Sequence, residues 1–165
     1  LTVLATASRK ESSDWCLNLG ADHIINHHED LPAQLNSLGF ENVDYIANFN
    51  DIDGIWEAMA EMIAPQGGIV LITGHQTQLE LGGAFKLKSA KICWEFMFTR
   101  SMFQTDDMIA QHHILETVAQ LVDHGKLIAT ANSSMNPINA KNILEGHRRL
   151  ESGTTIGKIV LSGWK

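Results

Sequence analysis

The sequence predicts an α/β protein built on a doubly wound parallel sheet, and three features of the chain predict it. Short apolar runs of strand length alternate with helical segments of about ten residues, as in successive βαβ units. Residues 1–7 and 69–74 are apolar without alternation, which is typical of strands covered by helices on both faces. Gly20 and Gly39 follow helical segments, where glycine commonly ends a helix.

Composition limits the classes of protein that the chain can represent. Its 165 residues, 44% of them hydrophobic, are enough for one ordinary core. The net charge of −7 argues against a nucleic-acid partner, because nucleic-acid surfaces are basic. There is no apolar run of membrane-spanning length and no signal peptide, so we expect no membrane partner and a cytoplasmic location. Cys16 and Cys93 lie far apart in apolar settings, which predicts buried free thiols.

The first half of the chain follows the strand–helix rhythm. After the strand at residues 1–7 we expect helices at 11–19, 29–38 and 51–64, and strands at 23–26, 43–47 and 69–74. The sequence PQGG at residues 65–68 predicts a turn before the last of these strands. The chain begins at Leu1 without Met and directly inside a strand, so we expect it to be a fragment or a processed product.

The second half is less regular. Residues 78–100 break the rhythm and contain a long run, at 85–98, that we expect to be extended. A helix at 106–124, a strand at 126–133, a helix at 138–152 and a strand at 157–163 then follow. Asn136 is the candidate N-cap of the last helix.

The strongest candidate for a binding site is the turn after the first strand, where Ser8 and Arg9 stand. Open α/β sheets bind ligands beyond the carboxyl ends of their strands, and dinucleotide folds use an acid there for the ribose of NAD or an Arg for the 2′-phosphate of NADP. Guanidinium offers paired donors to phosphate oxygens. The alternative is a solvated basic turn before a helix, with Glu11 in the first helical turn.

Two further strand ends carry candidate ligand contacts. Thr73 and Gly74 follow the strand at 69–74, and a glycine lets a ligand approach the backbone closely. A simple tight turn explains the same residues equally well. Asn48 follows the strand at 43–47 and could contact an adenine or a ribose, although an Asn that caps a turn is the favoured interpretation.

The remaining polar groups point to neither a metal nor a catalytic residue. His27 with His28, and His112 with His113, are adjacent pairs whose side chains point in different directions. There is no G-x-S-x-G sequence for a nucleophile. We expect solvated lysines (Lys86, Lys88 and Lys91) around an apolar edge strand. The run at residues 91–98, with Trp94, Phe96 and Phe98 on one face, is either core or a strand that pairs with a second subunit.

Four stretches together resemble the medium-chain dehydrogenase/reductase superfamily. They are TVLATASRKESSDWCLNLGADHIINH, VDYIAN, APQGGIVLITG and GHRRLESGTTIGKIVLSG, and LGADHIIN and GKIVL are the most specific pieces. The resemblance runs over nearly the whole chain and is greatest to the quinone oxidoreductase-like branch, often labelled zinc-type alcohol dehydrogenases. It implies an NADP(H)-dependent enzyme that transfers hydride to a quinone, an enone or another carbonyl.

The resemblance also implies a division of the chain. Residues 1–126 resemble part of a Rossmann domain that binds NADP, and residues 127–165 resemble the C-terminal return into a GroES-like catalytic domain. Within the first part, Ser8 and Arg9 match the 2′-phosphate positions, Thr73 and Gly74 match a loop near the nicotinamide, and Phe98 matches the segment beside the nicotinamide and the dimer edge. A homodimer through residues 91–98 is the implied assembly.

The first Rossmann strand, its glycine-rich loop and the N-terminal domain have no counterpart in this sequence. We therefore expect an inactive, truncated chain in which the second and fourth Rossmann strands either pair directly or receive a strand from another chain. Any zinc would be held by the absent N-terminal domain. The alternatives are a zinc-dependent alcohol dehydrogenase and a non-catalytic nucleotide-binding or oligomerisation module. A methyltransferase would need an acid where Ser8 and Arg9 stand.

Overall fold

The computed structural model of the protein describes residues 1–164. Strands and helices alternate through most of its first half: β1 (Leu4–Thr6), α1 (Lys10–Asn18), β2 (His23–Ile25), α2 (Leu31–Ser37), β3 (Val43–Asn48), α3 (Trp56–Met62) and β4 (Ile63–Leu71). The second half contains α4 (Gly83–Leu87), β5 (Lys91–Trp94), α5 (Thr99–Phe103), α6 (Ala110–Asp123), β6 (Ala131–Met135), α7 (Ala140–Glu151) and β7 (Lys158–Leu161). The predicted α/β class is confirmed.

Every strand pairing between these elements is parallel, as the sequence predicts, but the strands form three sheets and not one. β1 pairs with β2, β3–β4–β5 form a three-stranded sheet, and β6 pairs with β7. Within residues 1–164, β1 and β3 are not hydrogen-bonded to each other, so direct pairing of these two strands is the wrong alternative. Side chains bridge the first two sheets, because Leu4, Ile25 and Val43 share one hydrophobic cluster.

The main core lies on one face of the three-stranded sheet. Met59 of α3 and Ile63, Ile69 and Leu71 of β4 are all fully buried. The rings of Trp56 and Phe85 close this cluster, with their centroids 4.7 Å apart. These contacts fix the positions of the carboxyl ends of β3, β4 and β5.

Burial of the two apolar strands on both faces is wrong. Val3, just before β1, is 46% exposed, and β1 itself is only three residues long. In β4, Ile69 and Leu71 face the core, while Val70 on the opposite face is 40% exposed. Successive side chains of a strand point to opposite faces, and only one face of this sheet has helices α3 and α4 packed into its core.

The predicted turn at residues 65–68 is an irregularity inside β4. Val43 pairs with Ile63 and Tyr45 pairs with Gly68. The chain therefore advances five residues along β4 where it advances two along β3. Gln66 has a positive φ of 63°, and its N–H donates to the Lys88 carbonyl at 2.6 Å. The helix expected at 51–64 is shorter, because residues 51–55 form turns before α3.

The extended run expected at residues 85–98 is wrong in its first part. Residues 83–87 form α4, since Phe85 is 4% exposed and packs on Trp56. Lys88 is not a solvated edge residue either, because its ammonium donates to the Ala60 and Glu61 carbonyls at 3.0 and 2.6 Å. The strand begins at Lys91, ends at Trp94 and does not reach Phe98.

The C-terminal elements differ from expectation mainly at their starts. α6 begins at Ala110 and not at residue 106, and most of its apolar side chains are exposed. β6 begins five residues later than the strand predicted at 126–133. The N-cap of α7 is Asn139 and not Asn136, because its side chain accepts the Asn142 N–H at 2.8 Å.

The two cysteines of the chain do not form a disulfide with each other. Cys16 and Cys93 are free, as predicted, but Cys16 is half-buried and Cys93 is exposed, so the predicted burial of both thiols is wrong. Within residues 1–164, no helix is long and apolar enough to cross a membrane.

Candidate functional site

The turn after β1 holds Ser8 and Arg9 in a defined backbone geometry. Ala7 is buried, and its N–H extends the pairing of β1 with β2 by donating to the Ile25 carbonyl at 3.0 Å. Arg9 is the N-cap of α1: its N–H donates to the Ser12 hydroxyl, which donates in turn to the Arg9 carbonyl. The serines that follow the strand therefore fix the backbone of Arg9 at the carboxyl end of β1.

The two cations of this turn have different surroundings. The Lys10 ammonium pairs with Asp14, and the hydrogen bond and the charge of that carboxylate raise the pKa of Lys10. The Arg9 guanidinium forms no ion pair with a carboxylate of residues 1–164; its Nη1 and Nη2 both lie 3.2 Å from the Thr154 carbonyl oxygen. Ser8 is exposed, and Glu11 lies in the first turn of α1, as predicted. Arg9 is thus the cation of this turn that has no carboxylate partner among residues 1–164.

Asn48 ends β3 and is the buried polar residue of the site, with 5% of its surface exposed. Its amide nitrogen donates to the Asp51 carbonyl at 2.8 Å, and its amide oxygen accepts the Asn50 N–H at 3.1 Å. These bonds support the interpretation of Asn48 as a residue that shapes a turn. Its predicted contact with a cofactor stays a prediction.

Thr73 and Gly74 follow β4 and lie beside the same turn. The Thr73 hydroxyl donates to the Asn50 carbonyl at 2.6 Å, which joins the loop after β3 to the loop after β4. No heavy atom outside the neighbouring residues lies within 4 Å of the position that a Gly74 Cβ would occupy. The backbone at Gly74 therefore borders open space at the carboxyl edge of the sheet.

Asp53 is a further residue of this edge, and sequence reasoning missed it. Its carboxylate accepts the Gln76 and Thr77 N–H groups at 2.8 and 2.9 Å and also the Thr77 hydroxyl. The hydroxyl of Thr77, then the two N–H groups, lower the pKa of Asp53, and the nearby His75 acts in the same direction. Asp53 thereby holds the loop that follows Gly74. A local sequence pattern could not have predicted this bond, because the two residues are 23 positions apart.

Aromatic side chains flank the carboxyl end of β5. Phe98 is the N-cap of α5 and is 53% exposed, and its ring meets that of Phe96 edge-on with centroids 5.5 Å apart. The rings of His75 and Trp94 are 5.9 Å apart. Asn48 and Thr73 are thus brought together through Asn50, whereas Arg9 bonds to Thr154.

The described chain offers no metal centre. Within residues 1–164, no three His, Cys, Asp or Glu side chains lie close enough together to hold an ion. The His27 and His28 rings contact each other with centroids 4.4 Å apart, and His112 lies 3.7 Å from Glu116 on the exposed surface of α6.

Comparison with known proteins places the chain in a family. Residues 19–161 match the model of the zinc-binding dehydrogenases. A zinc-type alcohol dehydrogenase-like protein of Staphylococcus aureus is 37% identical over 162 residues, which are 98% of this chain and 48% of that protein. The chain therefore spans about half the length of the curated relatives it matches.

Comparison with solved structures gives the same result as the family model and the curated relatives. A Rhizobium etli protein described as a zinc-dependent alcohol dehydrogenase is 40% identical, with a TM-score of 0.91 over 100% of this chain and 48% of its own. A mycobacterial protein solved in complex with NADPH shares the fold at 17% identity, with a TM-score of 0.77 over 98% of this chain and 48% of its own. The chain belongs to the zinc-binding dehydrogenase family, in the zinc-type alcohol dehydrogenase-like branch of the medium-chain dehydrogenase/reductase oxidoreductases.

Proposed function

We propose that the whole protein containing this chain is a cytoplasmic, NADPH-dependent reductase of a quinone, an enone or another carbonyl compound. In this reaction NADPH supplies a hydride to the substrate carbon, a proton completes the reduced product, and NADP⁺ is released. We assign no catalytic residue to this chain. Its own part is to bind and orient the cofactor along the carboxyl edge of the sheet, and the reacting groups lie elsewhere in the whole protein.

The observation that carries this proposal is Arg9 at the carboxyl end of β1. The turn after this strand holds Ser8 and Arg9 and not an acid, and an acid is what a site for the ribose hydroxyls of NAD requires. The partly exposed guanidinium forms no ion pair with a carboxylate of residues 1–164. A 2′-phosphate would supply the missing negative charge, and the exposed Ser8 hydroxyl would donate to it.

The remaining predicted contacts divide into two kinds. Gly74 leaves open space where a cofactor could pass close to the backbone, and Thr73 and Asp53 hold the loops on either side of it. Phe98 offers an exposed ring to the nicotinamide half. Asn48, with both amide atoms engaged, fits a role in holding the loop better than a direct contact.

A zinc-dependent alcohol dehydrogenase is the related alternative. The described residues do not hold a cluster of zinc ligands, so in this alternative the metal would be bound by residues outside this chain. No step of the proposed reaction passes through zinc in this chain.

We also propose that residues 1–126 serve the cofactor and that residues 127–165 belong with the catalytic domain.

A second candidate function, a non-catalytic oligomerisation module, is favoured by the exposed edge of the sheet. β5 is the outer strand of the order β3–β4–β5, and Trp94 at its end and Phe96 and Phe98 after it are about half exposed. We propose a homodimer through residues 91–98. In the reductase proposal this dimer accompanies catalysis, whereas in the second candidate assembly is the whole function.

Calorimetric titration of the whole protein with NADPH and NADH tests the proposal. We expect NADPH to bind more tightly by about 10- to 100-fold, since two charge-assisted hydrogen bonds are at stake. Arg9→Ala should remove most of this preference, whereas Lys10→Ala, the matched change at the cation paired with Asp14, should retain it. Equal affinity for both cofactors in the unmodified protein would overturn the NADPH assignment. Assembly without any binding of either cofactor would favour the oligomerisation module.

A further inference from the structure

The guanidinium of Arg9 bridges two distant parts of the chain. Nη1 and Nη2 each donate to the carbonyl oxygen of Thr154, 145 positions away, at 3.2 Å. A guanidinium carries five N–H donors in a rigid plane. Two of these are directed at Thr154, and the other three, which include the Nε–H, have no partner among residues 1–164. The carbonyl therefore occupies one edge of the fork and leaves a second edge available for a bidentate acceptor.

The carbonyl that Arg9 contacts belongs to a loop that is itself fastened. Residues 152–157 join α7 to β7, and the Ser152 and Thr155 hydroxyls both donate to the Arg149 carbonyl, at 2.6 and 2.9 Å. The Ser152 oxygen also accepts the Thr154 N–H at 3.3 Å. Gly153 follows the helix with a φ of 67°, in the left-handed region that glycine adopts without strain.

The C-terminal end of the loop packs closely against the start of β6. Gly157 has a φ of 69°, and a Cβ at this position would lie 2.5 Å from the Thr130 carbonyl oxygen. The Lys158 N–H donates to the same carbonyl at 2.7 Å. Because both ends of the loop are held, the Thr154 carbonyl has a fixed position from which to orient Arg9.

We propose that Thr154 is a positioning residue: its carbonyl holds Arg9 so that the free edge of the guanidinium faces the 2′-phosphate of NADPH. This inference rests on the proposed function and deepens it, because it makes loop 152–157 a determinant of the preference for NADPH over NADH. A long side chain that is already ordered loses less conformational entropy when its ligand binds. Residues near the C-terminal end thus tune a contact made by the first strand.

The test compares variants that loosen the loop with variants that remove the cation. Ser152→Ala combined with Thr155→Val deletes the hydroxyls that fasten the loop and leaves Arg9 and the Thr154 backbone in place. Thr117→Val is the matched control, because its hydroxyl also donates to a carbonyl of its own helix, in α6. Dissociation constants for NADPH and NADH are measured by calorimetry on the whole protein carrying each change.

We expect the double variant to bind NADPH about 2- to 10-fold more weakly, the cost of reordering one long side chain, with NADH affinity unchanged. Thr155→Ser, which keeps the hydroxyl, should bind both cofactors like the unmodified protein. Arg9→Lys should lose most of the preference, because a single ammonium cannot hold the carbonyl and present a flat fork to a phosphate.

Three outcomes would overturn the inference. If NADPH affinity is unchanged or rises in the double variant while Arg9→Ala still abolishes the preference, Thr154 does not position Arg9, and the proposed function survives. If the double variant weakens NADPH and NADH equally, the loop has only a general structural role. If Arg9→Ala has no effect on either cofactor, the NADPH assignment fails together with the inference.

Discussion

The three-stranded sheet and the C-terminal part of the chain differ in how much apolar surface they bury. Around β4, Met59, Ile63, Ile69 and Leu71 are completely shielded from solvent. From residue 110 to residue 164, the one buried residue is Gly146. Helix α6 has apolar side chains along its length, yet Leu115 is 64% exposed. Similar apolar residues are therefore packed in one region and uncovered in the other.

This difference indicates which region carries the stability of the chain. Burial of apolar side chains is the dominant favourable contribution to folding, so the sheet around β4 has its own source of stability. The C-terminal elements rely on main-chain hydrogen bonds and on exposed ion pairs such as Glu145 with Arg148 and Arg149. Exposed ion pairs contribute little, so we expect this region to be the less stable of the two.

The largest expected effect comes from emptying the central core. Met59→Ala should lower the free energy of unfolding by about 2–5 kcal/mol, because it leaves a cavity among residues that cannot close around it. Leu115→Ala, the matched change in α6, should alter it by less than about 0.5 kcal/mol. Urea denaturation followed by far-ultraviolet circular dichroism measures both. Equal losses would mean that the apolar face of α6 is covered in solution.

A second pair of variants separates two effects of replacing a glycine, the steric clash of the added Cβ and the strain of a positive φ. Gly157→Ala should destabilise the β6–β7 pair by about 2–4 kcal/mol, because both the positive φ and the Thr130 carbonyl oppose a Cβ. Gly125→Ala has a similar φ of 67° but open space, and should cost only about 1 kcal/mol. Amide hydrogen exchange shows whether protection is lost in β6 and β7 alone. Indistinguishable effects of the two changes would contradict the close fit at Gly157.

A third pair tests the link between α3 and the loop before β5. Lys88→Met removes an ammonium that donates to the Ala60 and Glu61 carbonyls, where a cation also complements the negative end of the helix. We expect a loss of about 1 kcal/mol in the free energy of unfolding. Lys86→Met, a change on the exposed surface of α4, should have no measurable effect, as thermal melting of both variants would show. Equal melting temperatures for the two variants would refute this capping role.

The smallest effect concerns pH in the C-terminal region. Hydrogen bonds from Arg148, then from Arg149, lower the pKa of Glu145 from 4.5 to about 2. Because the folded-state pKa is depressed, the contribution of this carboxylate to stability is full above pH 4.5 and is lost as the pH falls toward 2. A carbon-detected NMR titration of Glu145 measures the value. Arg148→Ala should raise it, and a midpoint near 4.5 in the unmodified protein would contradict the ion pairs.

Features set by local sequence could be predicted, and features set by distant contacts could not. The helix predicted at 29–38 stops where expected, since Gly39 after α2 has a φ of 87°, as a helix stop requires. By contrast, α4 forms because Phe85 reaches Trp56, a residue 29 positions earlier that no pattern within the run at 85–98 reveals.

The candidate site divides in the same way. Ser8 and Arg9 could be located because they stand where a recognisable strand ends. The bonds from Asp53 to Gln76 and from Arg9 to Thr154 connect residues 23 and 145 positions apart, so only the folded chain places them together. The division into three sheets could not be predicted either, since an apolar run does not show which strand it pairs with.

The surroundings of Trp56 give the protein an internal optical reporter. Trp56 is the buried one of the four tryptophans, with its indole N–H donating to the Glu80 carbonyl at 2.9 Å, whereas Trp94 and Trp164 are 53% and 83% exposed. Emission from the shielded indole should lie at shorter wavelength and resist quenching by iodide, and emission from the exposed ones should be quenched readily. One unlabelled sample can therefore show, through two spectral components, whether the central packing or the outer surface has changed.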